Sequence, residues 1–199
     1  MKKIIFILAS FITLTSQAQE KRKSIAVSFG FGSGSTGSFK KLDGGGSNES
    51  KSLHKIGLLY LNELSKNLYF ETGISYIDFK YTSIGPFYGG QIPRVISNHQ
   101  VKLINIPLKL RYEAGKYVFF NGGVFTDIAV SRYAKYKEKE YSGLGTNLGM
   151  GLQYPISKKL SLYTNPQLDL RNIISFSSEN HPYFIADAIV DFGIKLRLN

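Results

Sequence analysis

The chain has 199 residues and a formal charge of +11, from 25 Lys and Arg against 14 Asp and Glu, and it contains no Cys and no Trp. This length suits one domain. The absence of Cys excludes a disulfide framework, a thiolate metal site and a lipid-modified cysteine. The 13 Tyr and 14 Phe exclude a largely disordered chain, because disordered segments are poor in aromatic residues.

Residues 1–18 have the three parts of a secretory signal peptide. Lys2 and Lys3 form a positive start, residues 4–14 are mostly apolar, and residues 16–18 (SQA) have the small-x-small form of a cleavage site. The apolar run is shorter than the roughly 20 residues that a membrane anchor helix needs. We therefore expect cleavage after Ala18 and one domain over residues 19–199. An exported chain also makes nucleic acid an unexpected partner, despite the basic charge.

Eight segments with period-2 alternation follow, which is typical of half-buried strands. The connections between them alternate between long and short, as in outer-membrane barrels with long outside loops and short periplasmic turns. The pattern predicts an all-β fold, an eight-stranded antiparallel up-and-down transmembrane β-barrel with both termini on the periplasmic side. The predicted strands cover residues 24–33, 53–61, 68–81, two halves of 101–130 around a turn at 113–116, 144–154, 160–172 and 189–198.

Alternation alone does not say which face of the strands lies inside. A soluble lipocalin-like carrier barrel would place the apolar face inward. The polar face carries charges of both signs near strand centres, and it is rich in glycine. An eight-stranded lumen is only just wide enough for side chains, so glycines there make room for long neighbours. This favours an apolar face that points outward into a membrane; the glycines are at positions 30, 32, 57, 73, 123, 149, 151 and 193.

Charged residues on the polar face are the candidate functional residues. Charges removed from water must be paired, so we predict a salt-bridged plug rather than a channel or proton path. The predicted lumen charge network is Glu71, Lys109, Arg111, Asp127, Asp169, Arg171, Asp191, Lys195 and Arg197.

The final strand has the spacing of an outer-membrane assembly signal, polar-x-Gly-x-x-apolar-x-apolar. Asp191, Gly193, Leu196 and Leu198 occupy the four defining positions. The motif predicts recognition by the barrel-assembly machinery. It departs from many such signals because Leu198 is followed by Asn199 instead of the chain ending on an aromatic residue.

The whole mature chain resembles the PorT-like outer-membrane β-barrel family, small eight-stranded barrels akin to OmpA and OmpX. The resemblance rests on the leader that ends at Ala18, the Asn105-Ile106-Pro107-Leu108 strand with its tight turn, the Gly123 strand and the closing Gly193-Ile194-Lys195 strand. It implies an outer-membrane location and, for some members, a role in protein secretion.

Enzymatic and ligand-binding motifs are weak. The histidines are His54, His99 and His181, and a Ser-His-Glu group for a lipid-modifying enzyme can be drawn only from Ser177 or Ser178 with Glu179 and His181. Lone histidines without carboxylates at ligand spacing do not predict a metal site. The glycines of residues 30–34 and 44–46 lack the Lys-Ser/Thr and helix of a phosphate loop. We expect no enzyme activity and no cofactor.

The expected partners follow from a barrel in the envelope. They are outer-membrane lipid and lipopolysaccharide, and envelope proteins that bind the outside loops. The charged segment 135–139 is either a contact for lipopolysaccharide or a solvated loop tip, and its mixed charge favours the loop tip. The expected role is structural, adhesive or accessory. Two further expectations concern the strands themselves: a bulge or widening at Pro107 and Pro166, and membrane-interface anchors at Phe31, Tyr60, Tyr76, Tyr112 and Tyr154.

Overall fold

The computed structural model describes residues 21–38, 47–85, 96–130, 141–176 and 183–198. The predicted signal peptide, the segment 135–139 and the Ser177–His181 group lie outside these ranges. Within them, no helix is long and apolar enough to cross a membrane. The strands are β1 Lys23–Ser38, β2 Ser47–Ser65, β3 Leu68–Ile84, β4 Ile96–Ala114, β5 Val118–Ala129, β6 Gly143–Pro155, β7 Leu160–Ser175 and β8 Tyr183–Arg197.

The strands form one closed barrel in chain order. Each strand pairs antiparallel with the next, and β1 closes the barrel on β8 from Ser24↔Arg197 to Ser38↔Tyr183. The predicted eight-stranded antiparallel barrel is confirmed. The three short turns lie at one end, and two of them contain a residue in the left-handed region, Asn67 (φ 68°) and Gly115 (φ 85°). Asn and Gly are the residues that adopt this conformation most readily.

Apolar side chains around the middle of the barrel point outward, and we call this outer surface the belt. On β4 it consists of Ile104, Ile106, Leu108, Leu110 and Tyr112. On β4, for example, Leu108 is 47 % exposed, and on β6 Leu148 is 70 % exposed, while the residues beside them in the sequence face the lumen. On β4 the outward apolar residues run from Ile104 to Tyr112, about the 9–11 residues that a tilted membrane strand needs. The alternative of a soluble barrel with its apolar face inside is therefore wrong.

Tyrosines mark the edge of the belt nearest the short turns. Tyr112 and Tyr154 are exposed there, as is Tyr117, whose ring stacks on that of Tyr154 with 6.5 Å between centroids. Aromatic residues at this depth are typical of the interface girdles of membrane barrels. At the opposite edge Phe31 and Tyr76 are also exposed on the outer surface.

Several strands are longer than predicted, chiefly at the end nearest the long loops, although β2 also continues to Ser65 at the turn end. β2 begins at Ser47 and not at residue 53, β4 at Ile96 and not at 101, and β8 at Tyr183 and not at 189. On the loop side of the belt, polar side chains face outward and apolar side chains face the lumen. Gln100 and Lys102 point outward, and Val101 and Leu103 point inward. A pattern defined by outward apolar residues stops at that reversal. Parts of the predicted loops 34–50, 82–100 and 173–186 are consequently strand.

Apolar side chains also occupy the lumen, one group on each side of its charged middle. We call them the loop-end cluster and the turn-end cluster. The sequence analysis predicted neither, because it treated the lumen as uniformly polar. The loop-end cluster is Leu53, Ile77, Phe79, Tyr81, Val101, Leu103, Ile185 and Ile189; the turn-end cluster is Ala26, Leu59, Leu61, Tyr69, Phe119 and Tyr163.

The two strand prolines interrupt one ladder each without shifting it. Between β3 and β4 the pairs run from Thr72↔Leu108 directly to Ser75↔Asn105, which omits the residues opposite Pro107 and its neighbour. On its other side Pro107 pairs regularly with Phe125. Pro166 likewise loses its pair on β6 and keeps Val190 on β8. The expected irregularity is present, but the expected bulge is absent, because a proline removes a donor toward only one neighbour.

Two luminal glycines allow aromatic rings to lie flat against the wall. A Cβ at Gly151 would overlap the ring of Phe119, and one at Gly193 would overlap the ring of Tyr163. The two rings contact each other edge to face at 6.2 Å. These glycines therefore create the space that the turn-end cluster fills, in agreement with the role expected for glycine in a narrow lumen.

Because the apolar side chains of β4 face outward, a charge introduced among them should lower the free energy of unfolding more at the middle of the membrane than near its edge. Leu108→Arg, in the middle of the belt, should lower the free energy of unfolding by about 2–4 kcal/mol, because a cation at mid-membrane depth loses its hydration. Ile96→Arg is the matched control, on the same face and strand but beyond the belt, and should cost less than about 1 kcal/mol. Urea unfolding in lipid vesicles measures both. Equal costs would contradict the proposed position of the belt.

Candidate functional site

Ionisable side chains fill the middle of the lumen in contact with one another. Five carboxylates and four cations there are each no more than 5 % exposed. They belong to three groups, which lie at successive heights between the turn end and the loop end. The carboxylates are Glu71, Asp127, Asp169, Asp187 and Asp191, and the cations are Lys55, Lys109, Arg111 and Arg171.

The group nearest the turn end is centred on Glu71. Its carboxylate lies 3.7 Å from Lys109 Nζ and 3.8 Å from Arg111 Nη1. The Arg111 guanidinium also lies 3.5 Å from the centroid of the Phe119 ring, so it is held between a carboxylate and an aromatic face. β3 and β4 bring these residues together directly, because Glu71 pairs with Lys109 in the ladder.

A half-buried pair continues this group to the rim. Lys195 Nζ lies 2.6 Å from Glu113 Oε1, and the same carboxylate oxygen is 3.6 Å from Arg111 Nε. Gln153 Oε1 accepts hydrogen bonds from both Arg111 and Lys195, at 2.9 and 2.7 Å. Arg197 lies farther out, half-buried, and forms no ion pair with a carboxylate in the described part of the chain.

The second group lies at mid-height and joins opposite parts of the wall. Lys55 Nζ on β2 lies 2.8 Å from Asp191 Oδ2 on β8. Across the lumen, Gln167 Oε1 accepts from Asn147 and Asn165 at 3.1 and 3.2 Å, and from Lys109 at 3.4 Å. Lys109 on β4 and Gln167 on β7 thereby connect strands that are three apart, so side chains fill the lumen at this height.

The third group gathers three aspartates around one guanidinium. Arg171 Nη1 lies 2.7 Å from Asp127 Oδ2, Nη2 lies 2.6 Å from Asp169 Oδ2, and Nε donates to Asp187 Oδ2. Asn105 donates a further hydrogen bond to the other oxygen of Asp127 at 2.7 Å. Arginine suits this position because its planar fork of donors reaches several carboxylates at once.

The structure brings eight of the nine predicted network residues into these contacts and leaves Arg197 at the rim. The sequence analysis missed three members. Lys55 and Glu113 were recognisable, because the alternation of β2 and β4 places both on the polar face. Asp187 was not, because it fell between the predicted loop 173–186 and the predicted strand 189–198, and it lies on β8.

Three residues of the predicted assembly signal lie on β8, and Leu198 directly follows it. Asp191 is buried against Lys55, and Gly193 faces the Tyr163 ring. Leu196 and Leu198 are exposed on the outer surface, at 40 % and 48 %. Recognition of this strand by the assembly machinery stays a prediction.

The two described histidines lie apart on the loop side of the barrel. His54 faces outward with its ring edge near Phe31, and His99 stacks on the Tyr81 ring at 4.9 Å. Among the described residues no group of three or more His, Asp or Glu side chains is arranged to hold a metal ion. The third histidine, His181, lies outside the described ranges.

Comparisons with known proteins agree on the fold. No family model matches the chain, and no curated protein matches it. The crystal structure of outer membrane protein OprG from Pseudomonas aeruginosa matches 90 % of this chain and 96 % of its own, at 10 % identity and a TM-score of 0.52. The solid-state NMR structure of outer membrane protein AlkL in lipid bilayers matches 93 % of both chains, at 12 % identity and a TM-score of 0.54. The chain has the fold of small outer-membrane β-barrels.

The Arg171 group predicts that removal of its single cation strongly lowers the free energy of unfolding. Arg171→Met leaves three carboxylates buried without their partner and should lower the free energy of unfolding by about 3–5 kcal/mol. Arg197→Met removes a rim cation with no described ion pair and should cost less than about 1 kcal/mol. Urea unfolding compares the two variants.

A second-site change provides the matched test of the cause. Adding Asp127→Asn and Asp187→Asn to Arg171→Met removes two of the orphaned charges and should recover part of the lost stability. Equal costs for the two arginine variants, or no recovery, would mean that the network does not hold this part of the lumen together.

Proposed function

We propose that this protein is a non-enzymatic outer-membrane barrel that serves the cell envelope in a structural, adhesive or accessory role. The observation that carries the proposal is the packed lumen. A charged layer no more than 5 % exposed fills the middle, and apolar clusters lie on both sides of it. Such a lumen favours a rigid, closed barrel over a channel, so the function should depend on the surfaces at the two ends.

The loop end is the larger of these surfaces. β2 and β4 have 19 residues each, far more than the 9–11 needed to cross a membrane. Their surplus residues lie beyond the belt and carry polar side chains outward, where Gln100 donates to Asp78 at 2.8 Å and Lys51 to Asn98 at 2.9 Å. This wall and the loops above it are the surface that we propose meets lipopolysaccharide and envelope protein partners.

The family and the topology in the membrane belong to the same proposal. The resemblance to the PorT-like family supports an accessory role that includes protein secretion. The short turns and both described chain ends lie at one end of the barrel, which supports a periplasmic position for both termini. The β8 strand, which closes the barrel on β1, is the segment that the assembly machinery would recognise.

Cysteine labelling tests location and orientation. Because the chain contains no Cys, only the introduced cysteine can react. Lys80→Cys lies on the exposed outer face near the loop end, and Lys158→Cys lies in a turn at the other end. In intact cells a membrane-impermeant maleimide should label the first variant and not the second. Permeabilising the outer membrane should expose the second. Labelling of Lys158→Cys alone in intact cells would invert the proposed topology, and labelling of neither variant after permeabilisation would contradict the outer-membrane location.

Affinity capture from gently solubilised membranes tests the accessory role. The tagged full-length protein should retain an envelope partner, and replacing residues 133–139 by a Gly-Ser segment of equal length should release it. Lys66→Glu, in a short turn at the other end, is the control and should leave capture unchanged. If instead overproduction altered lipid A and His181→Ala abolished the change, the protein would be a lipid-modifying enzyme.

A further inference from the structure

A basic cavity of about 520 Å³ opens at the turn end of the barrel. We call it the turn-end vestibule. Its walls come from the residues before β1, from the three short turns and from the rim of the lumen. Six cations and a single carboxylate, Glu113, line it; the cations are Arg22, Lys116, Lys158, Lys159, Lys195 and Arg197.

Among the described residues, most of this positive charge has no carboxylate partner. Lys195 is neutralised by Glu113 at 2.6 Å, and Arg22 Nε lies 3.9 Å from Glu63. Lys116, Lys158, Lys159 and Arg197 form no ion pair with any carboxylate in the described ranges, and the first three are exposed. Like charges gathered in a concave surface raise its potential and attract anions from solution.

The floor of the vestibule is closed. Glu113, Lys195 and Gln153 form it through their mutual hydrogen bonds, and the turn-end cluster packs behind them. An anion that enters from the turn side therefore stops there. The turn-end vestibule is therefore a closed-ended cavity that opens only to the turn side of the barrel.

The position of the vestibule decides which anion fits. It lies on the barrel axis, inside the ring of turns, whereas the headgroup of a membrane lipid is tethered to acyl chains on the outer wall. A segment supplied from the aqueous side reaches the axis without that constraint. The positive charges are also spread over two turns and two chain ends, which matches an extended ligand with several negative groups better than one compact ion.

We propose that the turn-end vestibule binds an acidic peptide segment of a partner protein. Its carboxylates pair with Lys158, Lys159, Lys116 and Arg197, and the segment lies across the mouth of the barrel. This is a second contact surface, at the opposite end from the loops, and it requires neither their structure nor a specific role for them. Electrostatic recognition of this kind gives fast, salt-sensitive binding.

Fluorescence anisotropy with a labelled hexaglutamate peptide tests the proposal on the folded full-length protein in detergent. Binding at low ionic strength is expected, and it should weaken steeply as salt is added. Lys158→Glu with Lys159→Glu should weaken it about tenfold or more, because two attractions become two repulsions. Lys80→Glu with Lys102→Glu is the matched control, with the same change in net charge at the loop end, and should change the affinity less than about twofold. Heat-modifiable migration shows that each variant is folded.

Four results would overturn the proposal. Absence of binding at low ionic strength removes the site, and equal weakening by the two double variants reduces it to diffuse attraction by net charge. Displacement by inorganic phosphate at concentrations comparable to the peptide would indicate a simple anion site. Loss of binding in nanodiscs of anionic lipid, but not of zwitterionic lipid, would assign the vestibule to lipid headgroups.

Discussion

The pairing of charge inside a narrow lumen is the constraint on which the rest of the structure depends. An eight-stranded barrel leaves room for side chains only, and a charge placed there loses its water and must find a partner. Arg171 meets this requirement by holding Asp127, Asp169 and Asp187 together, and it thereby ties β5, β7 and β8 to one another. Glycines on the same face provide the space for these long side chains, as at Gly30 beside Asp191.

Apolar packing on both sides of this layer gives the lumen an alternating composition along its axis. The loop-end cluster, the charged layer and the turn-end cluster follow one another, and Arg111 joins the last two by lying on the Phe119 ring. The apolar clusters keep water from the ion pairs, which strengthens each pair and raises the cost of breaking one. The two ends, on which we propose that the function depends, differ in character: a tall polar wall lies at the loop end and the basic turn-end vestibule at the other.

The alternation of the strands was sufficient to predict the main features of the fold. Ile104 to Tyr112 predicted one apolar and one polar face, and the glycines and mixed charges of the polar face predicted which one turns inward. The same alternation predicted that Glu71, Lys109 and Arg111 share the lumen. It failed beyond the belt, where Val101 and Leu103 face inward and their neighbours face outward. The alternation continues beyond the belt, but there the polar residues face outward and the apolar residues face the lumen. Because the prediction followed outward apolar residues, it placed the starts of β2, β4 and β8 too late.

The sequence by itself determined the number of strands, their order and the outward direction of the apolar belt, because all three depend on local periodicity and on the length of the connections. Only the tertiary structure decided which charges meet. Lys55 and Asp191 are 136 residues apart and 2.8 Å from one another, and Glu113 and Lys195 are 82 residues apart. Such pairs are set by the stagger of the strands around the closed barrel, which local sequence does not specify. The turn-end vestibule has the same origin, since its six cations come from four separate segments that meet only when β8 closes on β1.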